Sequence, residues 1–241
     1  MIMNDLLKLT LDAHGGIEAW KRFKSISAEL KVRGVAWELR QQTGVLDNIN
    51  VTVSTDRQFA TFYPFVKETW HNTFEPDRVS IMEGNKTIEA MDNPRASFAG
   101  FNYNDPWSLL QLTYFSGYAI WNYLCAPFFF ADPAFKVAEI EPWQENGKVY
   151  RCLQVTFPKH LATHSRVEKL YINEDGLIDR LDYEVEVVGN TAAANYIENY
   201  IIFQGIKFGT KRRVYMRQED NTPKLPSPEL IAIDMSNIVL R

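Results

Sequence analysis

Two hydrophobic periods divide this chain. Leu6, Leu9 and Ala13 recur at helical spacing behind Asn4 and Asp5, either of which can cap a helix. Gly15-Gly16 ends that helix, because glycine tolerates the left-handed turn at little cost. A short second helix carries Ile17, Trp20 and Phe23 and runs to about Ser25. From there to about residue 91 the period falls to two. Ala28, Leu30 and Val32 alternate with Glu29, Lys31 and Arg33, and Gly34 marks a bulge or bend. Val45, Ile49, Val51 and Val53 share one face of the next run, and Phe59, Thr61, Tyr63 and Phe65 form another. Glu83-Gly84-Asn85-Lys86, between RVSIM and TIEAM, predicts a hairpin turn, and short turns impose antiparallel pairing.

The middle breaks this pattern. Residues 106–131, PWSLLQLTYFSGYAIWNYLCAPFFFA, contain no Asp, Glu, Lys or Arg. That length could cross a bilayer. Against a span stand Gln111, Thr113, Ser116, Asn122, the bounding Pro106 and Pro127, and acidic rather than basic flanks at Asp105 and Asp132. A helix apolar on all sides is ordinarily buried in a core, and a lone span would interrupt the strands around it. The segment is therefore expected to be a core helix with no membrane insertion.

Strands resume with residues 136–141, VYRCLQVTF and VEKLYI, then a turn at Asn173–Gly176 and LIDRLDYEVEVV. A loop at Gly189–Ala194 leads to YIENYIIF, KRRVYM and LIAIDMSNIVL. Turns every 8–15 residues are those of a β-meander. The fold class expected is α+β: a strongly curved antiparallel β-sheet, or half-barrel, of about nine to eleven strands, with helices packed on its concave face. Residues 1–241 are expected to form a single domain.

Composition narrows the function. The 241 residues carry a net charge of −4, which argues against a nucleic-acid partner. The basic cluster Lys207, Lys211, Arg212, Arg213 and Arg217 alternates along one strand and reads as a solvated edge split between two faces. Two cysteines, Cys125 and Cys152, are too few for a disulfide framework and fit a reducing cytosol. The opening MIMNDLLKLT has no signal-peptide pattern, so a cytoplasmic location is expected. No phosphate-binding glycine loop, GxSxG elbow, HExxH or CxxC pair is present, and no cofactor is expected.

Candidate chemistry rests on four features. The aromatic share is 13%, and Trp107, Leu110, Tyr114, Tyr118 and Trp121 fall on one stripe of the central helix. Such a stripe either fills a core or lines a ligand pocket, since buried phenols and indoles need polar partners that a ligand can supply. His160 and His164 are four apart, the spacing of a helical metal pair, but without a clear third ligand beyond Glu168 no metal is expected; His164 fits a hydrogen-bonding role at a strand end. Arg180, Asp182, Glu184 and Glu186 share one strand face, with Leu181, Tyr183, Val185 and Val187 on the other. The first face reads either as acid–base equipment or as a solvated outer surface on which Arg180 pairs with Asp182. Asn195 and Tyr196 either close a pocket mouth or make a turn.

The order of these elements resembles the half-barrel of Lol-type lipoprotein carriers, which also occurs in a cofactor-free enzyme of the violacein pathway. The runs AHGGIEAW, NPRASFAGF, YFSGYAIWNYLCAPF, TFPKHLATHS, GLIDRLDYEVEV, AANY and KRRVY further resemble an uncharacterised bacterial protein family. Members of that family read FAGH, LLRRHDY and AAHY where this chain has Phe101, Leu181 and Asn195. The resemblance implies that histidine-based metal or proton chemistry present in relatives is missing here. It implies a half-barrel with a pocket and no particular reaction.

The function expected is binding of an apolar or aromatic small molecule in the concave pocket. The residues expected to contribute are Trp107, Tyr114, Tyr118, Trp121, His164, Tyr183, Asn195 and Tyr196. The alternative is a cofactor-free enzyme of specialised metabolism that uses a tyrosine, His164 and a carboxylate on such a molecule.

Overall fold

The computed structural model describes residues 3–241. The chain opens with α1 (Asp5–Ala13), capped by the Asn4 side chain, which accepts the Leu7 N–H at 3.1 Å. After the glycine pair come α2 (Ile17–Trp20) and the first strand, β1 (Ser25–Arg33). The burial of β1 alternates with Ile26, Ala28, Leu30 and Val32 inward, as its period predicts. Gly34 makes the expected bend with φ 129°, and its lack of a side chain lets the backbone of Leu230 approach closely. A short helix, α3 (Val35–Leu39), follows where no helix is predicted.

The first half of the sheet continues as β2 (Ile49–Ser54), β3 (Ala60–Tyr63), β4 (Trp70–Glu75), β5 (Arg78–Glu83) and β6 (Lys86–Asp92). A 3-10 turn (Pro94–Phe98) leads into α4 (Leu109–Cys125), and a second 3-10 turn, Phe128–Ala131, ends the apolar segment. The rest is β7 (Lys136–Glu145), β8 (Lys148–Thr156), β9 (Val167–Ile172), β10 (Ile178–Val185), β11 (Thr191–Phe203), β12 (Ile206–Met216) and β13 (Ile231–Leu240).

The thirteen strands of the described residues form one antiparallel sheet in the order β6-β5-β4-β3-β2-β1-β13-β12-β11-β10-β9-β8-β7. The count exceeds the nine to eleven expected. The strand without a sequence signal is β4, WHNTFE, whose inward Asn72 interrupts the apolar alternation. The sheet is two meanders joined where β1 pairs β13, so its free edges are β6 and β7. The chain leaves at one edge, crosses the hollow as α4 and re-enters at the other.

The contacts of α4 show how strongly the sheet curves. Thr113 accepts from Asn72 on β4, Trp121 donates to Ser54 on β2, and Tyr123 reaches Tyr183 on β10 and Arg212 on β12. In a flat sheet β4 and β10, seven places apart in that order, would be separated by about 34 Å. A helix is only about 10–12 Å across, so the sheet must wrap it. Every α4 residue after Leu109 is buried, the polar Gln111, Thr113, Ser116 and Asn122 included. Ser108 and Gln111 start the helix with reciprocal bonds, a capping box. No helix among the described residues is long and apolar enough to cross a membrane.

Three further expectations need correction. Ala60 and Phe62, rather than Phe59, Thr61 and Tyr63, point inward from β3, because either phase of that run offers apolar side chains. Residues 191–194 belong to β11 rather than to a loop. Arg180 and Asp182 pair as expected, but they are 1% and 4% exposed rather than solvated. The 217–224 loop covers them through Asn221, a long-range contact with no local signal.

Candidate functional site

The loop between β8 and β9 is pinned so that one histidine points into the hollow. Phe157 N–H donates to Arg166 O at 3.0 Å, and the Gln58 amide clamps Ala162 with two bonds of 2.8 Å. The Glu186 N–H donates to His164 O at 3.0 Å. The His164 ring then lies among four aromatic residues. Its Nδ1 is 3.2 Å from the Tyr118 hydroxyl and its Nε2 2.9 Å from that of Tyr123, which is 2.9 Å from the Tyr183 hydroxyl. Tyr183 also stacks on the imidazole at 4.0 Å, and Phe115 meets it edge-on at 5.2 Å.

Burial makes this cluster electrically neutral. Desolvation, helped by nearby Arg95, lowers the His164 pKa to about 3. It raises the Tyr123 phenol to about 12 and pushes Tyr118 and Tyr183 up as well. A neutral imidazole has one donor and one acceptor, and two hydroxyls occupy both. Both nitrogens are engaged and one ring face is stacked, so His164 is a structural hub rather than an open acid–base group.

A second polar branch lies beside it. Asn122 Nδ2 donates to Thr163 Oγ1 at 3.3 Å, and that hydroxyl donates to Glu168. Burial lifts the Glu168 pKa to about 8, against the stabilising bonds from Thr163 and the Ser165 backbone. The carboxyl is therefore mostly protonated at neutral pH.

Open space lies elsewhere. At one end of the half-barrel a cleft of about 860 Å³ is bounded by α2, the β4–β5 turn, the C-terminal half of α4 and residues 128–135. Its floor contains two stacked aromatic pairs, Trp20 on Phe128 at 4.3 Å and Trp121 on Phe129 at 5.1 Å. Trp121 is held in place by donating its indole N–H to Ser54 O at 2.8 Å. The rim is charged, with Lys21, Asp56, Arg57, Glu75, Asp77 and Arg78. Arg57 and Glu75 pair with each other.

Of the eight residues expected at the site, Trp121 lines this cleft. Trp107 and Tyr183 line a separate void of about 40 Å³ between α4 and β10–β13. Tyr118 and His164 belong to the hydrogen-bonded hub, and the Tyr114 hydroxyl sits 3.5 Å from Arg95. Asn195 and Tyr196 do not flank a common mouth: adjacent strand residues face opposite sides of the sheet. Asn195 is fully buried on the concave side. Tyr196 lies on the convex side with Arg180 and Glu145. His160 is exposed at the cleft, apart from buried His164, because residues 158–166 are a loop and not a helix. Leu181 and Asn195 are direct cross-strand partners on the concave face, whereas Phe101 sits beside Phe98 in the connection before α4.

Sequence reasoning missed two features. The cleft draws on seven separate stretches of chain, and of the residues expected at the site only Trp121 belongs to it. Arg212, read as part of a solvated edge, is 5% exposed and points into the hollow. The alternation KRRVY contained that signal, since Arg212 shares a face with inward Val214.

No family model matches the chain, and no curated protein matches its sequence. Solved structures do match its shape. A LolA superfamily protein from Nitrosomonas europaea aligns over 96% of this chain and 92% of its own, with TM-score 0.55 and 10% identity. A DUF1329 family protein from Desulfovibrio piger aligns over 98% and 94%, with TM-score 0.53 and 12% identity. A Vibrio parahaemolyticus domain named for outer membrane lipoprotein sorting aligns over 95% and 93%, with TM-score 0.51 and 8% identity. Likeness at such low identity speaks for architecture and not for ligand or reaction. The chain shares the open half-barrel architecture of these solved structures.

Proposed function

We propose that this protein binds an apolar small molecule, aromatic or isoprenoid-like, in the cleft at the end of its half-barrel. The observation that carries this reading is the combination of about 860 Å³ of open volume with a floor of stacked Trp and Phe rings. Small-molecule sites are commonly clefts of roughly 300–1,000 Å³ with apolar walls and a few polar groups at the edge. The half-barrel neighbour named for lipoprotein sorting is compatible with such a role. The role proposed is sequestration or presentation of the molecule in the cytosol, with no chemistry required of the hollow's satisfied polar cluster.

Native mass spectrometry of the purified protein, followed by organic extraction, tests this. A non-covalent adduct that passes into the organic phase is expected, or uptake of an added isoprenoid alcohol by adduct-free protein. A chain at its bare mass that takes up neither decanol nor an isoprenoid alcohol would contradict the reading.

A further inference from the structure

Among the described residues Arg212 is a buried cation without an anion. It is 5% exposed, and its guanidinium lies over the Tyr123 ring at 4.2 Å. Nη2 donates to Tyr123 O at 3.2 Å, while Nε and Nη1 have no partner. The acidic groups that act on its charge are the phenols of Tyr123, Tyr200 and Tyr183. Leaving a guanidinium unpaired in a protein interior is strongly unfavourable unless something else meets it.

The space beside it is suited to supply that partner. Arg212 lines a cavity of about 30 Å³, room for about two water-sized groups, or the two oxygens of a carboxylate. His14 and Lys207 line the same cavity, and no Asp or Glu does. Asn122, 4% exposed and with its Oδ1 unpartnered, adds a second unsatisfied polar group to the wall. The remaining lining is largely apolar, including Leu170, Ile197 and Phe208. The Arg212 guanidinium, with Lys207 on the same wall and burial holding His14 neutral, favours one negative charge attached to a hydrocarbon.

Cavity and cleft meet the same short stretch of chain from opposite sides. Phe128, Phe129 and Ala131 line the cleft, while Ala126 and Phe130 of the same stretch line the cavity. One aromatic turn therefore separates the two. We propose that Arg212 receives the carboxylate of a long-chain amphiphile whose apolar body passes beside this turn into the cleft. This assignment rests on the cleft being the binding site and names the chemical class of its ligand.

The test compares decanoate, decanol and acetate at equal concentrations by thermal melting and titration calorimetry, on wild type and on Arg212→Met. A charge-assisted bond to a buried guanidinium corresponds to a preference of roughly 10- to 100-fold. Wild type should bind decanoate tighter than decanol by that factor and respond little to acetate. Arg212→Met should bind the two ten-carbon ligands equally, with its affinity for decanol unchanged. Equal binding of decanoate and decanol by wild type would overturn the carboxylate assignment and leave the cleft intact as an apolar site. An acetate response as large as that of decanoate would also overturn it, since the site would then take free small anions. Binding of neither long-chain ligand would overturn the cleft reading with it. If Arg212→Met does not fold, Arg212→Lys replaces it, and loss of the wild-type preference there despite the retained charge would count against the assignment.

Discussion

Tyr183 lies flat on His164, ring centroids 4.0 Å apart and planes 10° from parallel, and its hydroxyl reaches the same Tyr123 hydroxyl that bonds His164. Stack and hydrogen bonds together fix the imidazole between β10 and α4. Tyr183→Phe keeps the stack and loses one buried hydrogen bond, so it should cost about 1 kcal/mol. His164→Ala removes two bonds and opens a cavity, and should cost about 3 kcal/mol or more. Urea denaturation of both variants checks this. A fully stable His164→Ala protein would show that the hub does not support the fold.

Stability should vary with pH in a way set by three buried groups. Glu168 is held at about 8, above its ordinary 4.5, so its contribution is complete below pH 4.5 and lost as pH rises through 8. His14 and His164 are held at about 4 and about 3, below 6.5, so theirs is complete above pH 6.5 and lost as pH falls. Between 4.5 and 6.5 two imidazoles outweigh one carboxyl; above 6.5 the carboxyl dominates. A maximum near pH 6.5 is expected, and Glu168→Gln should flatten the decline between 6.5 and 8. Urea midpoints at pH 5, 6.5 and 8 measure it, and a Glu168→Gln protein with the wild-type alkaline decline would refute the assignment.

Gly117 shows how tightly α4 is seated. A Cβ there would run into the Phe74 ring on β4. The helix gain from replacing glycine is about 1 kcal/mol, whereas overpacking a filled core costs about 1–3 kcal/mol or more. Gly117→Val adds two methyls beyond that Cβ and should lower the melting temperature clearly. Gly117→Val combined with Phe74→Leu should recover part of the loss, and no recovery would place the strain elsewhere.

Much of this architecture is legible in the chain because a one-sided sheet enforces alternation. Ile26, Ala28, Leu30 and Val32 reveal β1, and the uncharged run at 106–131 reveals the buried helix. The failures have physical causes. β4 hides because Asn72 points inward to bond Thr113, and β3 is ambiguous because Phe59 and Phe62 offer two apolar phases. Arg180 and Asp182 look solvated because their cover comes from Asn221, about forty residues later. The cleft is least legible, since its aromatic floor joins Trp20, Trp121 and Phe129 only after folding.

The covered pair on the convex face gives its own prediction. Arg180 bonds Asp182 through two nitrogens at 2.7 and 2.8 Å and also reaches Glu145 at 3.2 Å. Arg180→Ala leaves Glu145 without its cation and Asp182 with only the 3.5 Å contact to Arg217, and should cost about 3–5 kcal/mol. Replacing the pair together, Arg180→Met with Asp182→Leu, should cost less than Arg180→Ala alone. Chemical denaturation of both decides it, and a double variant less stable than the single would show that the pair itself contributes net stability.

Blocking the cleft tests the central claim most directly. Trp121 is a poor choice for this, because it is only 3% exposed and bonded to Ser54, so its removal also weakens the fold. Leu161 is half-buried on the cleft wall, and Leu161→Trp fills space without taking core packing away. A tenfold excess of apolar ligand over its dissociation constant raises stability by about 1.4 kcal/mol, a readable shift in melting temperature. Decanol should raise the wild-type melting temperature and leave that of Leu161→Trp unchanged. An equal rise in both proteins, or none in wild type, would contradict binding in the cleft.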